Sequence, residues 1–315
     1  MRYGYGVDVG GTTIKLAYFE ESGKMLEKWE IPTNIENDGI AILPDIAAAI
    51  ADHMAKTGAT KDQLVGIGLG VPGPVFRDGT VNKCINLGWG KFNVAQTLKD
   101  LTGLNVSAGN DANVAALGEA WMGSGDGCKN MVLATFGTGV GGGIIVDGKV
   151  LHGVHGSGGE IGHLVVNLHE TEYCNCGKKG CVEQYCSATG IVRLAKKFLA
   201  SSDLPSSLRA LENLTCKDVF DASAAGDKAA QAILEQVYAY MGEFLADICC
   251  IVDPEAVVLG GGVSKAGQPL LEGAKRYFEK FAFHATRSVR FSLATLGNDA
   301  GAYGAFRLAL LAFGG

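Results

Sequence analysis

The sequence predicts an α/β protein made of two related halves, and three observations carry that prediction. Strand-like and helix-like segments follow one another with glycine turns at the strand ends. A strand–glycine turn–strand unit opens the chain and recurs from Met131 onward. The length of 315 residues also suits roughly two domains of ordinary size.

In chain order, Tyr3–Val9, Thr13–Phe19 and Met25–Ile31 read as strands, parted by Gly10-Gly11 and by Ser22-Gly23-Lys24. An alanine-rich helix is expected over Ile40–Lys56, with Pro44 tolerated in its first turn. Leu64–Val71 is an apolar strand stopped by Pro72-Gly73-Pro74. Asn93 is an N-cap type of residue, and the helix after it carries Val94, Leu98 and Leu101 on one face before Gly103 ends it. A short strand, Asn105–Ala108, leads to Asn110-Asp111 and a helix over Ala112–Met122. Gly123–Gly127 marks a boundary. Beyond it the opening pattern returns: strand Met131–Phe136, the turn Gly137–Gly141, strand Gly142–Val146 and the turn Asp147-Gly148-Lys149. A loop-rich stretch follows. Helices are then expected over Val182–Leu199, Lys228–Ile251, Pro269–Phe281 and Gly301–Ala312, with strands at Ala256–Leu259 and Val289–Leu296. The recurrence implies a duplicated fold with a ligand cleft between the halves.

Composition narrows the function. Hydrophobic residues make up 47% and charged residues 19%, too apolar a mixture for a disordered chain. The net charge is −6, which argues against nucleic acid or an anionic membrane as the main partner. No stretch resembles a signal peptide or a membrane span, so the expected location is the cytoplasm. There, nine cysteines stay reduced, and a tight cluster of them reads as a metal site.

Glycine, at 46 residues, is the outlier, and its clusters point to backbone that approaches a ligand closely. Asp8, Gly10, Gly11, Thr12 and Thr13 combine a carboxylate, bare backbone N–H groups and two hydroxyls. That set suits a phosphate, with Asp8 beside a Mg2+ ion or its water. Gly137–Gly143 and Gly260–Gly262 are two more such turns. Gly137–Gly142 satisfies GxGxxG, but a strand rather than a helix follows, so the dinucleotide reading fails. Phosphates are expected at hairpin turns instead.

His163, Cys174, Cys176 and Cys181 form the sharpest motif: three thiolates and an imidazole within 19 residues make a closed, structural Zn2+ site. Glu160 and Glu183 flank it as fixed acceptors suited to a polyol. Asp111, at a helix start, is favoured as a carboxylate by the helix dipole and can accept a hydroxyl proton during phosphoryl transfer.

Taken together, Asp8–Thr13, Val71–Pro74, Asn110–Glu119, Gly137–Gly143, Glu160–His163, Cys174–Glu183 and Leu259–Gly262 resemble the ROK family of sugar kinases and repressors, and within it the bacterial ATP-dependent glucokinases. The resemblance implies an actin-like, ribonuclease-H-like fold of two α/β domains. The expected first domain is 1–122, with the helix over 301–315 packing back on it; the second is 123–300, with the zinc loop at 163–181. It implies ATP with Mg2+, a structural Zn2+ and a homodimer. By position, Asp111 would be the base on the sugar 6-hydroxyl. Gly73, Asn86, Asn110, Glu160, His163 and Glu183 would contact the sugar, and His163 would serve zinc as well. Gly10–Thr13, Thr138 and Gly139 would hold phosphates, with Gly261 and Gly262 near the nucleoside. The implied reaction is phosphorylation of D-glucose at the 6-hydroxyl. The alternatives are a kinase for mannose, fructose, N-acetylglucosamine or N-acetylmannosamine, or a non-catalytic sugar-sensing regulator. A DNA-binding repressor is disfavoured because the Asp8 turn begins eight residues into an acidic chain.

Overall fold

The computed structural model describes residues 2–314. The strands are β1 (Tyr3–Val9), β2 (Thr13–Glu20), β3 (Met25–Pro32), β4 (Leu64–Val71), β5 (Thr80–Val81), β6 (Phe92–Asn93), β7 (Val106–Asn110), β8 (Met131–Phe136), β9 (Val140–Val146), β10 (Lys149–Val150), β11 (Ala256–Gly260) and β12 (Arg290–Leu293). The helices are a single turn α1 (Glu36–Gly39), then α2 (Ile42–Thr57), α3 (Val94–Thr102), α4 (Asp111–Met122), the short α5 (Glu183–Cys186), α6 (Ala188–Ser201), α7 (Cys216–Ala224), α8 (Lys228–Val252), α9 (Gln268–Phe281) and α10 (Ala300–Phe313). Among the described residues, no helix is long and apolar enough to cross a membrane.

Two five-stranded sheets share one plan, with orders β3-β2-β1-β4-β7 and β10-β9-β8-β11-β12. In the first, β1, β2 and β3 pair antiparallel, and β4 then β7 add in parallel. In the second, β9 and β10 are antiparallel, and β11 then β12 add in parallel beside β8. Strand for strand, the duplication inferred from the two glycine hairpins is present. The chain divides into two compact units. The first holds Met1–Lys129, Gly143–Gly159 and Thr295–Gly315; the second holds Asn130–Gly142 and Glu160–Ala294.

The first unit explains why β1 and β4 are read as apolar strands spaced by glycine. Tyr5, Val7, Ile67 and Leu69 are buried in a cluster with Ile42, Ile46 and Ile50 of α2. On the opposite face the strands carry glycines, and α10 lies directly on them. A Cβ on Gly6 would stand 2.1 Å from the Ala302 carbonyl oxygen, and one on Gly68 would stand 1.6 Å from that of Ala305. Backbone-to-backbone packing of that kind excludes any side chain.

Several boundaries moved. The expected helix Val182–Leu199 breaks at Ser187, whose backbone is extended and whose hydroxyl caps α6 by accepting from Gly190 N–H. The region between α6 and α8 hides α7, which was not expected. Its signal was present in the Thr215/Asp218 capping box, where each side chain accepts from the other's backbone N–H. β9 starts at Val140 instead of Gly142, because the turn closes early through Gly137 N–H to the Gly139 carbonyl.

Candidate functional site

Asp111 stands at the first position of α4, immediately after β7. It is not the cap: Asn110 is, its side-chain oxygen accepting from Asn113 N–H at 3.1 Å. The Asn110 amide then donates to the Gly73 carbonyl at 3.1 Å and to Asp111 Oδ1 at 2.9 Å. Gly73, Asn110 and Asp111 are thus brought together by one side chain. Gly73 adopts a left-handed conformation, φ 93°, which aims its carbonyl at Asn110. Asp111 Oδ1 also accepts from Ala112 N–H at 2.8 Å. No other described residue donates to Oδ2. Burial pushes the Asp111 carboxyl up, and the Ala112 amide and Asn110 partly offset that push. Asn86 is exposed, on the single-turn helix Ile85–Leu87 of the same unit.

The first glycine turn is stapled from behind. Gly10 N–H donates to the Thr13 carbonyl at 3.0 Å, Thr33 N–H to that of Thr12 at 2.9 Å, and the Thr33 hydroxyl to that of Gly10 at 2.7 Å. Gly11 and Thr12 remain exposed. Asp8, on β1 just before this turn, is pushed up to about 6: burial dominates, Lys15 lowers it, and the Asp111 charge raises it. The two carboxylates therefore sense each other within the first unit. Gly301, at the start of α10, leaves room for Asp8; a Cβ there would stand 2.5 Å from the carboxylate carbon. A divalent cation is the natural neutraliser of such a desolvated pair.

Asp8 holds its proton more tightly folded, at about 6, than its ordinary value of 3.8. Ionising it therefore opposes folding, a cost absent at about pH 4 and complete somewhat above pH 6. Asp8→Asn is expected to stabilise the ligand-free protein at pH 7.5 by about 1–2 kcal/mol. Calorimetry without nucleotide or Mg2+ should show a higher Tm at pH 7.5 and no gain at pH 4. A gain of equal size at both pH values would mean that the charge is not the cause.

In the second unit, the turn at Thr138 and Gly139 is tied to the segment that carries Glu183. Glu183 Oε2 accepts from Val140 N–H at 3.0 Å, and a Cβ on Gly139 would stand 2.3 Å from that oxygen. The Thr189 hydroxyl donates to the Thr138 carbonyl at 2.8 Å. Glu160, exposed, precedes the single-turn helix Ile161–His163.

His163, Cys174, Cys176 and Cys181 offer ligand atoms that all lie within 4.8 Å of one another. Cys176 and Cys181 sulfurs are 3.6 Å apart, and Cys174 Sγ is 3.8 Å from His163 Nδ1. A tetrahedron with Zn–S bonds near 2.3 Å has edges of about 3.7 Å, so these two separations match those of a Zn2+ site. Sulfurs at 3.6 Å are too far apart for a disulfide. The four groups would close the coordination shell, which makes the metal a clamp and leaves it no part in bond chemistry.

The loop is braced by residues that sequence reading missed. Arg193 of α6 pairs with Glu170 and, at 2.8 Å, with Glu172, and donates to the Gln184 carbonyl at 3.0 Å. Burial alone would raise Glu170, yet Tyr185, the Glu172 amide, Arg193 and Lys197 hold its carboxyl down at about 2. Gln184 accepts from the N–H groups of Gly180 and Cys181. An i, i+4 pair, Arg193 and Lys197 on one helix face, was the only sequence hint.

The third turn opens on a cavity of about 260 Å³ lined by Gly262, Val263, Lys265 and, from α7, Lys217, Phe220 and Asp221. Gly261, φ 81°, lies against the Phe136 backbone, where a Cβ would stand 2.5 Å from its carbonyl oxygen. Gly262 faces open space. The α7 side chains were invisible to the sequence reading because the helix itself was.

Paired sheets of one plan, each with a glycine turn after its first strand, define a two-domain α/β fold of the actin-like ATPase class. The ROK family profile matches residues 4–311, and the chain belongs to the ROK family. Among curated relatives, a glucokinase of Halalkalibacterium halodurans is 46% identical over 96% of this chain and 93% of its own. Among solved structures, a ROK hexokinase from Thermus thermophilus is 31% identical, with 98% of each chain covered and a TM-score of 0.81. A ROK family glucokinase from Streptomyces griseus, in complex with glucose and AMPPNP, is 31% identical over 98% of this chain and 99% of its own, with a TM-score of 0.76.

Proposed function

We propose that the protein transfers the γ-phosphoryl group of ATP to the 6-hydroxyl of D-glucose. The observation that carries this reading is the state of Asp111: one carboxylate oxygen is fixed by Ala112 N–H and the Asn110 amide, and among the described residues no neighbouring residue donates to the other. A carboxylate held this way is oriented without being used up, which is what a general base requires. Asp111 accepts the hydroxyl proton as the sugar oxygen attacks phosphorus in line. Because the transition state is loose, most of the rate comes from positioning and charge neutralisation.

The remaining roles follow the chemistry of each group. Gly73, Asn86, Asn110, Glu160, His163 and Glu183 supply hydrogen-bond partners for sugar hydroxyls. Backbone N–H groups and hydroxyls of Gly10–Thr13, Thr138 and Gly139 hold phosphate oxygens. The cavity beside Gly262 suits a purine, with Phe220 as its apolar wall. Mg2+, when bound near Asp8, supplies positive charge to the phosphates. His163, Cys174, Cys176 and Cys181 would hold Zn2+, which would fix the loop and leave the second ring nitrogen of His163 to meet the sugar.

A coupled ADP-release assay over glucose, mannose, fructose, N-acetylglucosamine and N-acetylmannosamine tests the reading. Glucose is expected to give a kcat/KM at least about tenfold above the rest, the size of discrimination one or two pocket contacts supply. A higher value for an N-acetylhexosamine would transfer the assignment to that sugar. No ADP with any of them would remove the kinase reading.

A further inference from the structure

Glu119, two turns along α4 from Asp111, is 1% exposed. Its oxygens face five neutral donors. Oε2 receives Ser124 N–H at 3.0 Å, the Ser124 hydroxyl at 3.2 Å, Thr295 N–H at 3.2 Å and the Thr295 hydroxyl at 3.5 Å. Oε1 receives Leu296 N–H at 2.8 Å. Each oxygen of this buried group is thereby hydrogen-bonded, as burial of a polar group requires.

The partners are not random loop residues. Ser124 lies on the segment by which the chain leaves the first unit after Lys129, and Thr295 is the first residue on its final return. One side chain thus fastens the departing and the returning segment to α4. Gly123 is shaped for it: a Cβ there would stand 2.1 Å from Oε2. The returning segment leads through the single turn Gly297–Asp299 into α10, which locks onto the same helix, a Cβ on Gly304 standing 1.5 Å from the Val114 carbonyl oxygen. Asp111 and Glu119 therefore sit on one rigid rod about 12 Å apart.

We propose that Glu119 is a positioning residue: it locks the first departing and the last returning segment to α4 and so holds Asp111 in place for proton removal. This rests on the reading of Asp111 as the base. In Glu119→Gln, the amide nitrogen meets one of the same N–H groups head-on. Gly123→Ala displaces the carboxylate and leaves its charge intact, which provides a second variant if the first folds poorly.

Hydrogen exchange and kinetics on the full chain test it together. Both variants are expected to speed exchange at Ser124, Thr295 and Leu296 by about tenfold or more. They should lower kcat by about tenfold while KM for sugar and ATP moves by less than about twofold. Adding Glu119→Gln to Asp111→Asn should cost nothing further, because the residue acts through that base. Unchanged exchange would overturn the lock. Faster exchange with normal kcat would reduce Glu119 to a stabilising role, and a full additional loss in the Asp111→Asn background would route its effect elsewhere. If Asp111→Asn itself retains near-normal turnover, the catalytic half of the proposal falls with the base, while the exchange result still reports the lock.

Discussion

Replacing Asp111 with Asn is expected to lower kcat for the preferred hexose by about 10²- to 10⁴-fold, the range general-base removal costs when positioning stays intact. The substitution is nearly isosteric, and Asn110, whose side-chain oxygen caps α4, is untouched, so the helix start survives. The Ala112 N–H that now reaches Oδ1 can meet the Asn side-chain oxygen instead. Sugar affinity, measured by calorimetry, should change by less than about threefold, because the lost interaction strengthens only as the proton moves. The low-pH limb of kcat should also change. In the unmodified protein, burial raises both Asp111 and Asp8, the latter to about 6, so activity declines on acidification well before ordinary aspartates titrate. In Asp111→Asn only the Asp8 contribution remains. Near-normal turnover in that variant would remove Asp111 from the mechanism.

The second large effect concerns the clamp. Cys176→Ala is expected to abolish stoichiometric zinc by elemental analysis and to raise the sugar KM by about tenfold or more, with a smaller change in kcat. Cys176 is exposed, so the substitution opens no cavity in the core. Its effect must therefore come through the metal. The loop would keep the Arg193 bridges to Glu170 and Glu172 but lose the tether that fixes His163. Zinc-free protein of unmodified sequence with full sugar affinity would show that the bridges alone suffice.

Much of the architecture was legible because glycine and apolar periodicity are local signals. The β1 and β4 boundaries fell where the strands end, and α3 began after Asn93 and stopped at Gly103, as its cap types require. The metal cluster was legible for the same reason, since its four ligands lie within 19 residues. What stayed hidden was tertiary. Arg193 bracing Glu170 and Glu119 collecting donors 176 residues away join distant positions that no spacing rule connects. Helix α7 was lost for a different reason: it buries only Val219 and Ala222, which leaves too little apolar periodicity to stand out, and only its capping box marked it.

Helix α10 closes the first unit, yet in chain order it follows every element of the second. Gly6 and Gly68 have space for nothing except its backbone, so β1 and β4 present an uncovered face until those residues leave the ribosome. The second unit, by contrast, is complete once Ala294 has emerged. Newborn chains would then mature back to front, against the usual N-terminal-first order. A chain cut short before α10 would carry a finished second unit attached to a first unit still waiting for its lid.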